Sequence, residues 1–140
     1  MTFNLAVSQP PATRVLQFFQ TNQGARIYQI PLEAFPGFWA NAYIILFEDY
    51  QVLIDTGSGF GVSNKHLEQG LHEIDEKEKR EIGLPSLTHI MISHGHIDHF
   101  GGLPYIVSES SAIVGIHELD LRNLTNTEER LMVISKRLDI

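Results

Sequence analysis

The segment "SHGHIDHFGG" (residues 93–102) decides how this sequence is interpreted. Three of the chain's seven histidines and one aspartate fall within six positions of it, and two glycines follow. The preceding residues 87–93, "LTHIMIS", are apolar and β-branched enough to form a buried strand. Side chains alternate along an extended segment, so His94 and His96 are predicted to project to the same side.

Asp98 and His99 come next, where the chain turns into the following helix, and Gly101 and Gly102 allow backbone segments to pack closely there. Gly95 has no side chain to obstruct the approach to its two neighbours. Imidazole and carboxylate groups are the ligands of zinc and of non-haem iron. Burying four such groups without a cation would leave several polar atoms needing partners. The spacing H-x-H-x-D-H therefore predicts a metal site formed by this cluster.

The other four histidines receive structural interpretations. His89, alone on an apolar strand, is predicted to be a structural residue with its hydrogen bonds satisfied. His66 and His72 fall on a helical pattern and are predicted to lie at the surface. His117 follows a predicted strand and could lie at the same sheet edge as the cluster, but we do not expect it to be a ligand. Asp120 is predicted to be a helix residue.

Composition places the chain among ordinary globular proteins, because 43% of its residues are hydrophobic and 19% are charged. A length of 140 residues suits one domain spanning 1–140. The net charge of -7 argues against a broad nucleic-acid surface, and the lack of cysteine excludes disulfides and thiolate ligands. No signal peptide or membrane-length apolar run is present, so we expect a cytoplasmic protein that acts on a small molecule.

Apolar runs and turn signals predict several antiparallel-type strands followed by strand–helix alternation. The predicted strands are 15–20, 26–32, 42–49, 50–55, 87–93 and 112–116. The predicted helices are 63–79, a short one within 100–110, a turn over 118–124, and 126–138. The third and fourth strands follow each other with almost no spacer and are predicted to form a hairpin. Their apolar runs lack clean alternation, which is typical of strands buried on both faces or nearly so.

The sequence resembles the metallo-β-lactamase superfamily. "HGHIDHFGG" (94–102) is similar to the family's H-x-H-x-D-H-x-G-G signature, and "NAYIILFEDYQVLIDTGSG" (41–59) resembles the preceding hairpin with its Asp-Thr-Gly motif. The resemblance runs in order from about Arg14 to Ile116. It implies an α/β fold of the α+β type, the αββα sandwich, with the metal site at one edge of the two sheets.

The same resemblance implies roles for individual residues. By position, His94 and His96 would bind a first metal, and Asp98 and His99 a second. Asp98 would also orient the nucleophile as a catalytic residue. Asp55 matches the family's aspartate behind the metal ligands, which can orient an imidazole ligand and fix its tautomer. The alternative for Asp55 is a turn-forming residue before Gly57.

The chain departs from the family pattern in its second half. A complete site takes another histidine for each metal and a bridging aspartate, yet only 41 residues follow His99 (140 minus 99), with His117 the one histidine among them. Two divalent ions bring a charge of +4, and the motif offers a single carboxylate. We therefore expect the N-terminal half of the fold, either truncated or part of a longer product, whose site is completed by its second half or by another copy of the chain.

The implied chemistry is hydrolysis by a metal-activated water, with zinc as the expected metal and two ions in the complete site. A small ester, thioester or lactone is the expected substrate. Phe35, Phe38 and Trp39, in a predicted loop over 33–43, could form an apolar wall for an acyl group or could instead cap the core. Two alternatives stay open: an iron-dependent, persulfide dioxygenase-like oxidoreductase, and an inactive half-domain.

Overall fold

The computed structural model describes residues 15–125, and its six strands form one mixed sheet in the order of the sequence. The strands are β1 Gln17–Gln20, β2 Arg26–Phe35, β3 Phe38–Leu46, β4 Gln51–Ile54, β5 His89–Ile92 and β6 Ile113–Ile116. The helices are α1 Ser63–Glu78, α2 Ile97–Phe100, α3 Leu103–Ser108 and α4 Leu121–Thr125, with 3-10 turns at Leu84–Ser86 and Glu118–Asp120.

Strand direction changes in the middle of the sheet. β1 to β4 form an antiparallel meander, whereas β4, β5 and β6 run parallel. Parallel neighbours need crossover connections, which α1 supplies between β4 and β5, and α2 with α3 between β5 and β6. Because parallel strands end at the same edge of a sheet, the residues that follow β4 and β5 meet there. Asp55 and Ser93 are those residues.

The hydrophobic core lies on one face of the sheet. A row of buried side chains crosses β2 to β5 in register, namely Tyr28, Ile44, Leu53 and Ile90. All three of the helices α1 to α3 add buried apolar side chains to the same cluster, among them Leu67, Leu71, Ile74, Phe100 and Ile106. Gly70 allows α1 to lie close to β2, because a Cβ there would collide with the side chain of Ile30.

The other face of the sheet is only half covered by the described residues. Ile27, Ile45 and Val52 lie side by side on it and are half-buried, and Met91 is 42% exposed. Strands β3 and β4, predicted to be buried on both faces or nearly so, alternate among the described residues between buried positions on one face and mostly half-buried positions on the other. The helices of the described part of the chain pack on the opposite face. The described residues hold one sheet of an αββα sandwich and not a second.

The hairpin of β2 and β3 differs from the sequence prediction. Residues 33–43 were expected to form a loop, but β2 continues to Phe35 and β3 begins at Phe38, with a tight turn at Pro36 and Gly37. Gly37 has φ of 75°, a conformation that glycine adopts without strain. Alternating burial continues through both strands to this turn, so the pattern of period two extended further than the predicted boundaries.

Most other predicted elements are confirmed within a few residues. These are the first strand, the hairpin of β3 and β4, the helix after the glycine-rich loop, the two later strands and the helical turns around 118–124. The hairpin closes with a hydrogen bond from the Phe47 amide to the Tyr50 carbonyl (2.9 Å). The predicted helix 126–138 lies outside the described residues. Within residues 15–125, no helix has both the length and the apolar character needed to cross a membrane.

A polar network ties the end of α1 to the sheet. The Glu78 carboxylate accepts hydrogen bonds from Arg26 Nε (2.8 Å) and Tyr28 Oη (2.6 Å). Burial works against ionisation of Glu78, but these two hydrogen bonds outweigh it and hold the pKa of Glu78 below its usual value. A depressed carboxyl pKa stabilises the fold above the unfolded pKa, and that stabilisation is lost as the pH falls through the folded pKa.

Glu78→Gln should lower the free energy of unfolding at pH 7 by about 1 kcal/mol, since two hydrogen bonds to a charged acceptor weaken and Arg26 is partly screened by solvent. The difference from the wild type should shrink as the pH falls below about 4.3, the usual pKa of a glutamate, and should disappear below the lower pKa of the folded carboxyl. Urea titrations at pH 7 and below that folded pKa measure it. Glu73→Gln, in the exposed pair with Lys77 on the same helix, is the control; an equal effect in both variants would contradict the prediction.

Two glycines of the loop after β4 allow a second test. Both have positive φ, 77° for Gly59 and 53° for Gly61. A Cβ on Gly59 would lie 2.5 Å from the Gly101 carbonyl oxygen, whereas a Cβ on Gly61 would meet nothing within 4 Å.

Gly61→Ala should therefore lose only about 1 kcal/mol of stability, the backbone cost of a left-handed alanine. Gly59→Ala should lose roughly 1–3 kcal/mol more, because the loop must also move away from the Gly101 backbone. Chemical denaturation of the two variants gives the comparison. Equal losses would show that the loop and α2 are not held together as described.

Candidate metal centre

Asp55 is the first residue beyond β4 and lies at the edge where β4 and β5 end. It is 4% exposed and has φ of 65°, an uncommon conformation for a residue with a side chain. Its amide donates to the Met91 carbonyl (2.9 Å), and the amide of Thr56 donates to the His99 carbonyl (2.8 Å). The backbone after β4 is thereby attached to β5 and then to α2.

The Asp55 carboxylate accepts three hydrogen bonds from the predicted metal-binding segment. Oδ1 accepts from the Ser93 amide (2.7 Å), and Oδ2 lies 2.7 Å from Ser93 Oγ and 2.8 Å from His99 Nδ1. The side chain thus bonds residues 38 and 44 positions ahead in the sequence. These contacts are those of a residue that orients a histidine ring. They do not fit the alternative of a side chain committed to its own turn.

The three histidines of the cluster lie against one another. The ring centroids of His94 and His96 are 4.7 Å apart, and those of His94 and His99 are 4.1 Å apart. The expected proximity of His94 and His96 is confirmed. His99, which lies in the four-residue helix α2, joins the same group.

Asp98 and His99 present a donor pair with the spacing of two ligands on one ion. His99 Nε2 and Asp98 Oδ2 are 3.2 Å apart, while His99 Nδ1 is held by Asp55. Two ligand bonds of about 2.0–2.2 Å at near-tetrahedral or octahedral angles place donor atoms roughly 3.0–3.5 Å apart. The donor types and this spacing fit zinc or a similar cation.

The fit of this cluster to a bound cation is incomplete in one respect. No group of three or more His, Cys, Asp or Glu side chains in residues 15–125 is already arranged around a common point as a cation cage. The histidine rings contact each other through their faces and edges. The structure therefore brings the predicted ligands together, and their assignment to particular metals stays a prediction.

Glycines allow the backbone segments around the cluster to approach each other. The Gly102 amide donates to the Gly57 carbonyl and to Thr56 Oγ1 (both 3.1 Å), which joins the start of α3 to the loop after β4. Gly95 was expected to leave an open approach between the two histidines. It is instead buried, and a Cβ there would collide with Asn123 of α4. Glycine is therefore needed at this position because α4 packs against it, and not because it opens an approach to the two histidines.

The remaining histidines have structural surroundings. His72 is exposed, as predicted, and His89 is half-buried with Nδ1 3.0 Å from Thr88 Oγ1. His117 Nδ1 accepts a hydrogen bond from the Leu119 amide (3.2 Å) at the start of a 3-10 turn. The surface prediction for His66 is wrong: its ring stacks on an indole of β3 and Nδ1 accepts from the Glu33 amide (3.1 Å).

Asp120 lies in the 3-10 turn that precedes α4, as predicted, and its carboxylate accepts a hydrogen bond from the Asn123 side chain (3.0 Å). The same asparagine packs against Gly95 between the two histidines. The turn containing Asp120 therefore contributes to the shape of the cluster's surroundings.

The aromatic residues of the β2–β3 hairpin divide into two groups. Trp39 stacks on His66 of α1, with ring centroids 5.4 Å apart. Phe35 lies 6.3 Å from Phe38 and 5.8 Å from Phe60 of the glycine-rich loop. Phe38 and Phe60 are about half exposed, at 48% and 57%. The sequence left both roles open for all three hairpin aromatics, and it did not identify Phe60.

Sequence reasoning also missed the contributions of Ser93 and Thr56. Ser93 was considered only as the residue at which the strand ends, yet its amide and hydroxyl both bond Asp55. Thr56 accepts the Gly102 amide and bonds the His99 carbonyl. The sequence offered one indication of these roles, namely that Thr56 directly follows Asp55 and Ser93 directly precedes His94.

Comparison with known proteins agrees with this geometry. The profile of the Metallo-beta-lactamase superfamily matches residues 37–137. A metallo-beta-lactamase family protein of Thermus thermophilus has a TM-score of 0.63 at 23% identity, covering 80% of this chain and 36% of that protein. A Cronobacter sakazakii metallo-beta-lactamase has a TM-score of 0.53 at 18% identity, covering 74% and 34%. At these identities the likeness shows the fold alone.

A sequence relative is the anti-Pycsar protein Apyc1 of Bacillus phage BSP38, which is 32% identical over 85 residues, or 60% of this chain and 28% of that protein. The chain thus spans 28% to 36% of the length of these relatives. The α+β fold class is confirmed, with only part of the relatives' domain covered. Because the family profile matches well over half of its residues, this chain belongs to the metallo-beta-lactamase superfamily.

Proposed function

We propose that this chain carries the first half of a hydrolase site that uses a zinc-activated water on a small ester, thioester or lactone. The observation that carries the proposal is the buried Asp55 carboxylate, which gathers Ser93 and His99 at the edge where the two other histidines and Asp98 lie. We further infer a cytoplasmic protein whose single domain over 1–140 is the N-terminal part of the fold.

Each residue of the cluster has a proposed role. His94 and His96 would hold one ion, and Asp98 with His99 would hold a second, in accordance with their order in the family motif. Asp55 would orient His99 through Nδ1 and leave its Nε2 for the metal. Bound zinc supplies a water whose pKa falls to about 7. The Asp98 carboxylate, 3.2 Å from His99 Nε2, would help to hold the attacking water in position.

The cluster alone provides too few ligands and too little negative charge for two divalent ions. Four side chains would have to serve two sites, and only Asp98 among them is anionic. We therefore expect the remaining ligands from a longer product or from a second copy of the chain. Elemental analysis decides the metal: about one iron per chain would instead support the dioxygenase alternative.

An acyl-bearing substrate is supported by the aromatic group of Phe35, Phe38 and Phe60. Two of these rings are about half exposed, and the loop that carries Phe60 packs through Gly59 against α2. An apolar surface on a loop that packs against α2 suits an acyl chain or lactone ring better than a polyanion, as does the net charge of -7.

His96→Ala and Asp98→Ala should each lower bound zinc per chain by at least about tenfold at limiting free zinc, because each removes a direct ligand. His72→Ala, which removes an exposed histidine of α1, is the control and should retain wild-type metal. Metal content is measured by elemental analysis after gel filtration, together with the native mass.

The same variants are assayed on a p-nitrophenyl ester, a thioester, a lactone and a phosphodiester. The wild type should hydrolyse the ester, thioester or lactone. In both site variants this activity should fall together with the metal content. Unchanged metal in both would contradict the ligand assignment, hydrolysis that survives both would contradict the mechanism, and turnover of the phosphodiester alone would contradict the substrate class.

A further inference from the structure

We propose that Ser93 is a positioning residue that transmits the orientation set by Asp55 to His94. The inference rests on the proposed function, because it assumes that His94 is a metal ligand. It extends the action of Asp55 from one histidine of the cluster to two. The distances that carry it are 2.7 Å from Ser93 Oγ to Asp55 Oδ2 and 2.9 Å from Ser93 Oγ to His94 Nδ1.

The direction of these hydrogen bonds follows from counting protons. An ionised carboxylate only accepts, so the single hydroxyl proton of Ser93 must point to Asp55. Ser93 Oγ then has only lone pairs to offer to His94. Its contact with His94 Nδ1 is a hydrogen bond only if Nδ1 carries the proton. The neutral ring of His94 is thereby held with Nε2 unprotonated, the state that a metal ligand requires.

The same count applies to His99, which bonds Asp55 directly. Its Nδ1 donates to Asp55 Oδ2 (2.8 Å), so the proton of a neutral His99 ring is on Nδ1, and its Nε2 lies 3.2 Å from Asp98 Oδ2. One buried carboxylate therefore selects the same tautomer in two histidines, once directly and once through a serine hydroxyl. Without Asp55 and Ser93, each ring would be free to protonate at either nitrogen.

The backbone keeps the hydroxyl of Ser93 in place. The Ser93 amide donates to Asp55 Oδ1 (2.7 Å) while its hydroxyl donates to Oδ2, so the residue binds both oxygens of the carboxylate. Ser93 is exposed, which leaves room for an added methyl group. Ser93→Thr should therefore keep the connection, whereas Ser93→Ala removes the hydroxyl and little else.

The test is the protonation pattern of His94, read by nitrogen-15 NMR on histidine-labelled, metal-free chain at about pH 8.5, where an ordinary histidine is neutral. We expect the Nδ1–H tautomer of His94 in the wild type and in Ser93→Thr, and mainly the Nε2–H tautomer in Ser93→Ala. Ser108→Ala, which removes an exposed serine hydroxyl that donates to the Tyr105 carbonyl, is the control and should match the wild type.

A second readout is zinc affinity by chelator competition. Ser93→Ala should bind zinc about 10–100-fold more weakly, and Ser93→Thr within a few-fold of the wild type. An Nε2–H tautomer of His94 in the wild type would overturn the inference even if Ser93→Ala failed to fold, and so would unchanged affinity in Ser93→Ala. A wild type without zinc binding but with the Nδ1–H tautomer would instead refute the proposed function alone.

Discussion

The three hydrogen bonds accepted by the Asp55 carboxylate are the interaction on which the rest of the metal centre depends. A buried carboxylate is strongly unfavourable unless its oxygens are hydrogen bonded, and Asp55 is nearly inaccessible to solvent. Its partners, Ser93 and His99, belong to the segment that follows β5. The parallel pairing of β4 and β5 is what brings these distant parts of the sequence to one sheet edge.

The packing around Asp55 extends this constraint to the neighbouring loop and helices. Gly101 and Gly102 lie so close to the loop after β4 that a side chain on either would collide with backbone atoms of that loop. The helices share one core on a single face of the sheet. The opposite face carries half-buried apolar residues, and the chain spans 28% to 36% of the length of its relatives. The described residues thus cover one face of the sheet with helices and leave the other face half-buried.

Local pattern predicted much of this arrangement, and tertiary contacts account for the rest. The helix α1 and the hairpin of β3 and β4 could be predicted from the sequence because each depends on residues that are close together in the chain. The motif from His94 to His99 was readable because its chemistry is concentrated in six positions. By contrast, the partial burial of His66 depends on the Trp39 ring of β3, and the burial of Gly95 depends on Asn123, 28 positions ahead (123 minus 95). No local periodicity encodes either contact.

The most direct test of the account is zinc X-ray absorption spectroscopy on the chain loaded with zinc. Nitrogen and oxygen neighbours are expected at about 2.0–2.2 Å from the metal, together with the multiple scattering of imidazole rings. Zinc bound without imidazole scattering would place the metal away from the histidines that Asp55 organises. Such a spectrum would contradict the assignment of this sheet edge as the metal centre.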